Sequence, residues 1–77
     1  MIVVVSRSVY SDDYKRLVEK LKQARLDVGL SQQSVAEKLN KPQSYISKVE
    51  SGERRLDVIE VKALAKVYMK KLEDFVE

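Results

Sequence analysis

The stretch LSQQSVAEKLNKPQSYISKVESG, residues 30–52, predicts two short helices joined by a very tight turn. Ser31 is a capping residue at the start of the first helix, QQSVAEKL. Asn40 tolerates left-handed backbone and Pro42 suits a first helical position, so the second helix begins almost directly after the first one ends. Gly52 suits the residue that follows the end of the second helix. The buried face of the first helix is predicted to consist of Val35, Ala36 and Leu39.

The second of these helices, residues 42–50, carries a polar face that contains no acid. At about 100° per residue, Ile46 and Val49 lie on one side, and an opposite arc of roughly 140° holds amide, hydroxyl and ammonium groups. The residues on this arc are Gln43, Ser44, Ser47, Lys48 and Ser51. Such groups can bond base edges, with glutamine suited to adenine, whereas an acid would face phosphates. Two short helices across a tight turn match the helix-turn-helix plan, in which the second helix lies in the DNA major groove. The alternative is an ordinary solvated helix face.

The flanking segments predict three more helices and one strand. A helix starts after the cap Ser11 and runs to about residue 27, and another starts with a capping box between Asp57 and Glu60. Residues 70–77, KKLEDFVE, are a possible further helix, and MIVVVSRSVY at residues 1–10 is typical of a strand. We therefore expect an all-α, five-helix domain at residues 11–77 with a short strand-like extension at residues 1–10. The predicted apolar stripe of the helix that starts at Asp57 is Val58, Val61, Leu64, Ala65 and Tyr68.

Arg25 interrupts the apolar stripe of the predicted helix that starts after Ser11 and runs to about residue 27. A buried charge needs a partner, and Glu50 is the only acid that borders the apolar side of the helix at residues 42–50. We therefore predict an ion pair between Arg25 and Glu50.

Composition narrows the possible functions. The chain has 77 residues, a net charge of +3, no cysteine and no histidine, so it lacks the commonest general base and the thiolate metal ligands. We expect one small domain that is not an enzyme and needs no cofactor or metal. The apolar run at the N-terminus is too short for a secretion signal, and no stretch is long enough to span a membrane. A cytoplasmic location is expected.

Residues 30–52 resemble the helix-turn-helix of the lambda repressor and Cro-like proteins, the XRE family. The shared features are LSQ at the start of the first motif helix, VA within it, QS near the start of the second, an isoleucine in its middle and ESG at its end. The resemblance implies that Gln43 and Ser44 read bases, and that Gln32 grips a phosphate while bracing Gln43. It also supports the pairing of Arg25 with Glu50. Asn40 and Lys41 depart from the usual glycine and from the small or hydroxyl residue of the family.

Other candidates surround this face. Ser47 and Lys48 complete the predicted base-reading set. The predicted contacts to the DNA backbone, besides Gln32, are Lys41, Tyr45, Ser51, Arg54 and Arg55. For Tyr45 two interpretations stay open, a lid over the edge of the core and a hydrogen-bond donor to phosphate. The two loop arginines either contact phosphates or only improve solubility.

The leading hypothesis is a sequence-specific regulator of transcription, of the repressor or controller type, that binds double-stranded DNA. The alternative is an antitoxin or interaction module that neutralises a partner protein, such as a toxin, or binds a co-regulator. One short helix reads few base pairs, so a homodimer on a palindromic operator is expected. By resemblance its main contact is the C-terminal surface, with the strand as a brace, and Phe75→Glu should abolish it. The predicted dimer residues are Leu72, Phe75, Val76, Ile2 and Val4.

Overall fold

In the computed structural model, which describes residues 12–76, the chain folds into four α-helices and one short 3-10 helix. The elements are α1 (Asp12–Asp27), α2 (Gln32–Lys38), α3 (Gln43–Ser51), α4 (Val58–Val67) and the 3-10 helix Leu72–Asp74. The all-α prediction is confirmed for this part of the chain, which contains no strand. The predicted strand, the Ser11 cap and the residues Ile2 and Val4 lie outside the described residues. Each of the described helices is too short or too polar to cross a membrane.

The turn between α2 and α3 has the geometry expected from its residue types. The hydroxyl of Ser31 accepts a hydrogen bond of 3.0 Å from the backbone N–H of Ser34 and so caps α2. Asn40 has φ of 58° and Gly52 has φ of 86°, which are the left-handed conformations predicted at the two helix exits. Pro42 precedes α3 as its N-cap, with an extended ψ of 153°, so this helix begins one residue later than predicted.

The loop between α3 and α4 is held near its C-terminal end by two sets of contacts. Asp57 and Glu60 form the predicted capping box, with hydrogen bonds of 2.8 and 2.9 Å. One residue earlier, the backbone N–H of Leu56 donates a hydrogen bond of 3.1 Å to the hydroxyl of Tyr14 on α1. The loop therefore has a fixed position relative to both α1 and α4.

The core contains apolar side chains from all four helices and from the C-terminal segment. Its most deeply buried side chains are Tyr68, Leu21, Ile46, Leu64, Val35 and Val49. Arg25 is buried among them, with 8% of its surface exposed. Val58 was wrongly placed in the buried stripe of α4, since 57% of its surface is exposed. It lies roughly 70° from the centre of that stripe, at the very start of the helix, where the core no longer covers it.

The C-terminal segment is not the predicted fifth α-helix. Met69 adopts a left-handed φ of 61°, which ends α4, and the carboxylate of Asp74 accepts a hydrogen bond of 2.8 Å from the backbone N–H of Lys71. These contacts bend residues 71–75 into a single 3-10 turn. The turn places Phe75 in the core, where only 5% of its surface is exposed. Phe75 is thus buried by a 3-10 turn and not by the predicted α-helix.

Candidate nucleic-acid interface

One side of α3 packs in the core and the other faces solvent. Ile46 and Val49 each expose 1% of their surface and fix the rotation of the helix. This rotation exposes the side chains on the opposite arc. The predicted base-reading residues Gln43, Ser44, Ser47 and Lys48 are all exposed, as are Lys41 and Ser51. The structure thus brings the predicted residues together on one surface, the α3 face.

Arg25 and Glu50 form an ion pair beneath this surface. The guanidinium donates from Nε to Oε2 of Glu50 over 2.7 Å and from Nη2 to Oε1 over 3.0 Å, and Nη1 donates to the carbonyl of Leu30. The side chains are 10% and 5% exposed, so water competes little for the pair. The hydrogen bonds to Glu50 raise the pKa of Arg25, against the opposing effect of burial. The pair ties α1 to the C-terminal half of α3.

The neighbouring Tyr68 stays in its neutral form. Burial, reinforced by the negative charge of Glu50, raises the pKa of its phenol to about 12. The aromatic ring therefore contributes an uncharged wall to the core next to the ion pair.

Two glutamines connect the ion pair to the α3 face. Gln32, at the start of α2, is half-buried and donates from Nε2 to Oε1 of Glu50 over 3.0 Å. Gln43 donates from Nε2 to Oε1 of Gln32 over 2.9 Å. Gln32 lies beside Gln43, as the bracing role predicted for it requires, and this role together with its phosphate contact stays a prediction. A continuous chain of hydrogen bonds runs from the core to the exposed end of Gln43, and we call it the glutamine relay.

A second cluster borders the α3 face on the side of the loop. The half-buried Tyr45 donates a hydrogen bond of 3.2 Å to Oε2 of Glu60, and the guanidinium of Arg54 donates to the same oxygen over 2.5 Å. Arg54 also lies 4.9 Å from the centre of the Tyr45 ring, and the ammonium of Lys41 lies 5.3 Å from it. Burial, together with the charge of Glu60, raises the pKa of Tyr45, so its hydroxyl keeps its proton. We call these four residues the tyrosine cluster.

The remaining candidates differ in their surroundings. Arg55 is exposed in the loop. The hydroxyl of Ser51 lies 3.1 Å from the carbonyl oxygen of Lys48 and 3.0 Å from a carboxylate oxygen of Glu53. A contact from Ser51 to DNA would therefore have to replace a bond within the chain and bring a phosphate near an acid.

Glu60 is the residue that sequence reasoning missed at this surface. Its position three residues after Asp57 predicted the capping box, which uses Oε1. Its second oxygen, which holds Tyr45 and Arg54, depends on the path of the loop, and spacing alone does not give that path. The contact between Lys41 and Tyr45 was missed as well, because Lys41 lies in the turn before α3, where helical spacing does not apply.

The predicted dimer residues lie in different environments. Phe75 is part of the core of a single chain, Leu72 is half-buried against the core, and Val76 is 42% exposed. A substitution at Phe75 therefore reports on folding of the monomer, and the expectation that Phe75→Glu tests only the dimer does not fit this structure. The dimer itself stays a prediction.

Comparison with known proteins identifies the family. A family model described as helix-turn-helix matches residues 21–75. The solved structure of an XRE-family like protein from Pseudomonas syringae pv. tomato str. DC3000 is 32% identical, superposes with a TM-score of 0.83, and the match covers 92% of this chain and 87% of that one. No curated protein matches the chain. The match to the family model and the likeness to this solved structure agree with the tight α2–α3 pair, and the chain therefore belongs to the XRE family of helix-turn-helix proteins, a family of DNA-binding regulators.

Proposed function

We propose that this protein is a sequence-specific regulator of transcription, of the repressor or controller type, that acts in the cytoplasm. In the proposed mode α3 lies in the major groove of double-stranded DNA, and α2 crosses the sugar-phosphate backbone. Gln43, Ser44, Ser47 and Lys48 contact bases. Gln32, Lys41, Tyr45, Ser51, Arg54 and Arg55 contact the backbone.

The observation that carries this proposal is the α3 face itself. Its four base-reading candidates are exposed and offer one amide, two hydroxyls and one ammonium, and the carboxylate nearest to them in sequence, Glu50, turns into the protein to pair with Arg25. These four side chains can thus offer donors and acceptors to base edges, and none of them carries a negative charge. A selection of bound sites from random duplex DNA tests the proposal directly. Enrichment of a defined motif is expected, and recovery of random sequences would contradict it.

Replacing Gln43 by alanine should remove discrimination at one or two base pairs of the selected motif. A good bidentate contact of a side chain with a base is worth about 1–3 kcal/mol of discrimination, and alanine keeps the helix intact. The measurement compares affinities for the selected site and for single base-pair variants of it. A motif that Gln43→Ala leaves unchanged would show that the reading face was assigned wrongly.

Replacing Glu60 by glutamine should strengthen binding to all duplex sequences by about two- to fivefold. In the free protein Glu60 holds Arg54 in a half-exposed ion pair, which is worth at most about 1 kcal/mol. Glutamine can keep the capping bond to the backbone of Asp57 but no longer attracts the guanidinium, which is then free to contact a phosphate.

Replacing Arg54 by alanine should weaken binding to every sequence. The slope of log affinity against log salt concentration should become shallower by about one, because one phosphate contact is lost.

The control for this prediction is the double variant. If Glu60 acts through Arg54, Glu60→Gln should have a much smaller effect in the Arg54→Ala background. An equal gain in both backgrounds would mean that Glu60 acts only as a negative charge near DNA. Affinities for an unrelated duplex, measured over a range of salt concentrations, give the effect of Glu60→Gln in each background and the salt dependence of binding.

We further propose a homodimer on a palindromic operator, with half-sites about 10 base pairs apart or a multiple of that. The exposed Val76 and the half-buried Leu72 support a C-terminal contact, with Ile2 and Val4 as a brace. Sedimentation of the free protein and the length of its footprint on a selected site test this. A monomer at high micromolar concentration with a footprint of one half-site would overturn it.

A further inference from the structure

We infer that Glu50 is a positioning residue that fixes the orientation of the Gln43 amide and thereby makes it prefer adenine over guanine. The inference rests on the proposed function and adds to it the identity of the base that Gln43 prefers. It follows from the chemistry of the glutamine relay, in which each group restricts what the next one can offer.

The first step is the polarity of Gln32. Amide oxygen and nitrogen have nearly the same shape, so shape alone does not decide which way a glutamine side chain points. Here the neighbour decides. Glu50, as a carboxylate paired with the guanidinium of Arg25, can only accept hydrogen bonds. The atom of Gln32 that lies 3.0 Å from Glu50 must therefore be its nitrogen, and the Gln32 oxygen must face Gln43.

The second step is the polarity of Gln43. Because the oxygen of Gln32 faces it, Gln43 has to present its nitrogen, and one of its two N–H groups is used in the bond of 2.9 Å. One N–H and the carbonyl oxygen remain for a ligand. The exposed amide is thus reduced to one donor and one acceptor in a fixed order.

The third step compares this pattern with the bases. Adenine offers an acceptor at N7 and a donor at N6 in the major groove, whereas guanine offers two acceptors, N7 and O6. The free N–H and the carbonyl oxygen of Gln43 can bond N7 and N6 of adenine. With guanine, the carbonyl oxygen of Gln43 would instead lie opposite the acceptor O6. If both glutamines turned over, Gln43 would accept from Gln32 and point two N–H groups outward, which is the pattern that guanine requires. Glu50 excludes this second arrangement of the two glutamines, because the oxygen of Gln32 would then face the Glu50 carboxylate, which has no proton to donate.

Two variants break the glutamine relay at different hydrogen bonds. In Arg25→Met/Glu50→Met both charges of the ion pair are replaced together, which avoids leaving one charge buried alone. Gln32 is half-buried, so in this variant its amide can turn toward water in either sense. Gln32→Ala keeps the ion pair and removes only the link to Gln43. Gln33→Ala is the matched control, because Gln33 is the adjacent, exposed glutamine, and its amide bonds Glu37, which lies outside the relay.

The experiment begins with Gln43→Ala, which identifies the base pair that Gln43 reads. At that base pair the relative affinities of duplexes with adenine and with guanine are then measured for every protein. We expect the wild type and Gln33→Ala to favour adenine by about tenfold or more, within the range known for bidentate base contacts. In both relay variants the ratio should fall to about threefold or less, while preferences at base pairs read by other residues persist. A role in folding alone would lower all affinities together and leave the ratio unchanged.

Other outcomes are distinguishable from this one. A wild type that prefers guanine at this base pair, or a folded relay variant that keeps the adenine preference, would overturn the inference and leave DNA binding intact. A wild type without any sequence preference would instead overturn the proposed function. Circular dichroism shows which variants fold. If the double methionine variant does not fold, Glu50→Gln takes its place, because an amide at position 50 can donate as well as accept and no longer forces the nitrogen of Gln32 toward it. Gln32→Ala then tests the link to Gln43, and Glu50→Gln tests the role of the carboxylate.

Discussion

Replacing Glu50 by alanine is expected to lower the free energy of unfolding by about 3–5 kcal/mol, because it leaves the guanidinium of Arg25 buried without its counter-charge. Arg25 would keep only its bond of 2.9 Å to the carbonyl of Leu30. Natural domains have about 0.05–0.15 kcal/mol of stability per residue, so a chain of this length loses a large part of its total. Urea unfolding followed by circular dichroism measures the loss.

Two further variants separate the causes of this loss. Glu37→Ala removes an exposed carboxylate from α2 and should change stability by less than about 0.5 kcal/mol. Arg25→Met/Glu50→Met should cost much less than Glu50→Ala, because no charge stays buried alone. If Glu50→Ala were as mild as Glu37→Ala, the ion pair would have no part in holding α3 against α1.

Phe75→Ala is expected to cost about 3–5 kcal/mol, the usual range for truncating a buried phenylalanine. The ring exposes only 5% of its surface and belongs to the same cluster as Leu64, Ala65 and Tyr68. Its loss would leave a cavity under the C-terminal turn and remove the contact that fixes residues 71–75. A shift of the urea midpoint at unchanged slope would show this directly.

The matched control is the next residue along the chain. Val76 is 42% exposed, so Val76→Glu should leave monomer stability nearly unchanged while weakening a dimer formed through the C-terminal surface. Sedimentation of both variants therefore separates folding from assembly. Equal and small losses of stability in Phe75→Ala and Val76→Glu would show that the turn does not depend on the ring.

Local signals in the sequence predicted much of the fold. Ser31, Asn40, Gly52 and Asp57 act through their own side chains or their own φ, so their positions mark helix ends without knowledge of the tertiary structure. Arg25 was also informative, because a charge within an apolar stripe requires a partner that can be sought in the rest of the chain.

The missed features all depend on tertiary geometry. KKLEDFVE has the composition of a helix, yet Met69 turns left-handed and burial of Phe75 favours a tighter turn. The second bond of Glu60 depends on how the loop carries Arg54 back toward α4. The polarity of Gln32 depends on a carboxylate eighteen positions away in the sequence. None of these has a fixed spacing that a pattern can recognise.

The glutamine relay has a consequence for how proteins of this kind diverge. In the proposed mode Ser44, Ser47 and Lys48 contact bases. All three are exposed, so mutations there would change the preferred operator at little cost to folding. Gln43 and Gln32 are different, because Gln43 bonds Gln32, and Gln32 in turn bonds the buried carboxylate of Glu50. Drift of the recognised sequence should therefore be fast at the base pairs under the serines and the lysine. In the proposed mode, a lineage that changes the base under Gln43 would have to alter the relay as well, by a substitution at Gln32 or by paired substitutions at Arg25 and Glu50.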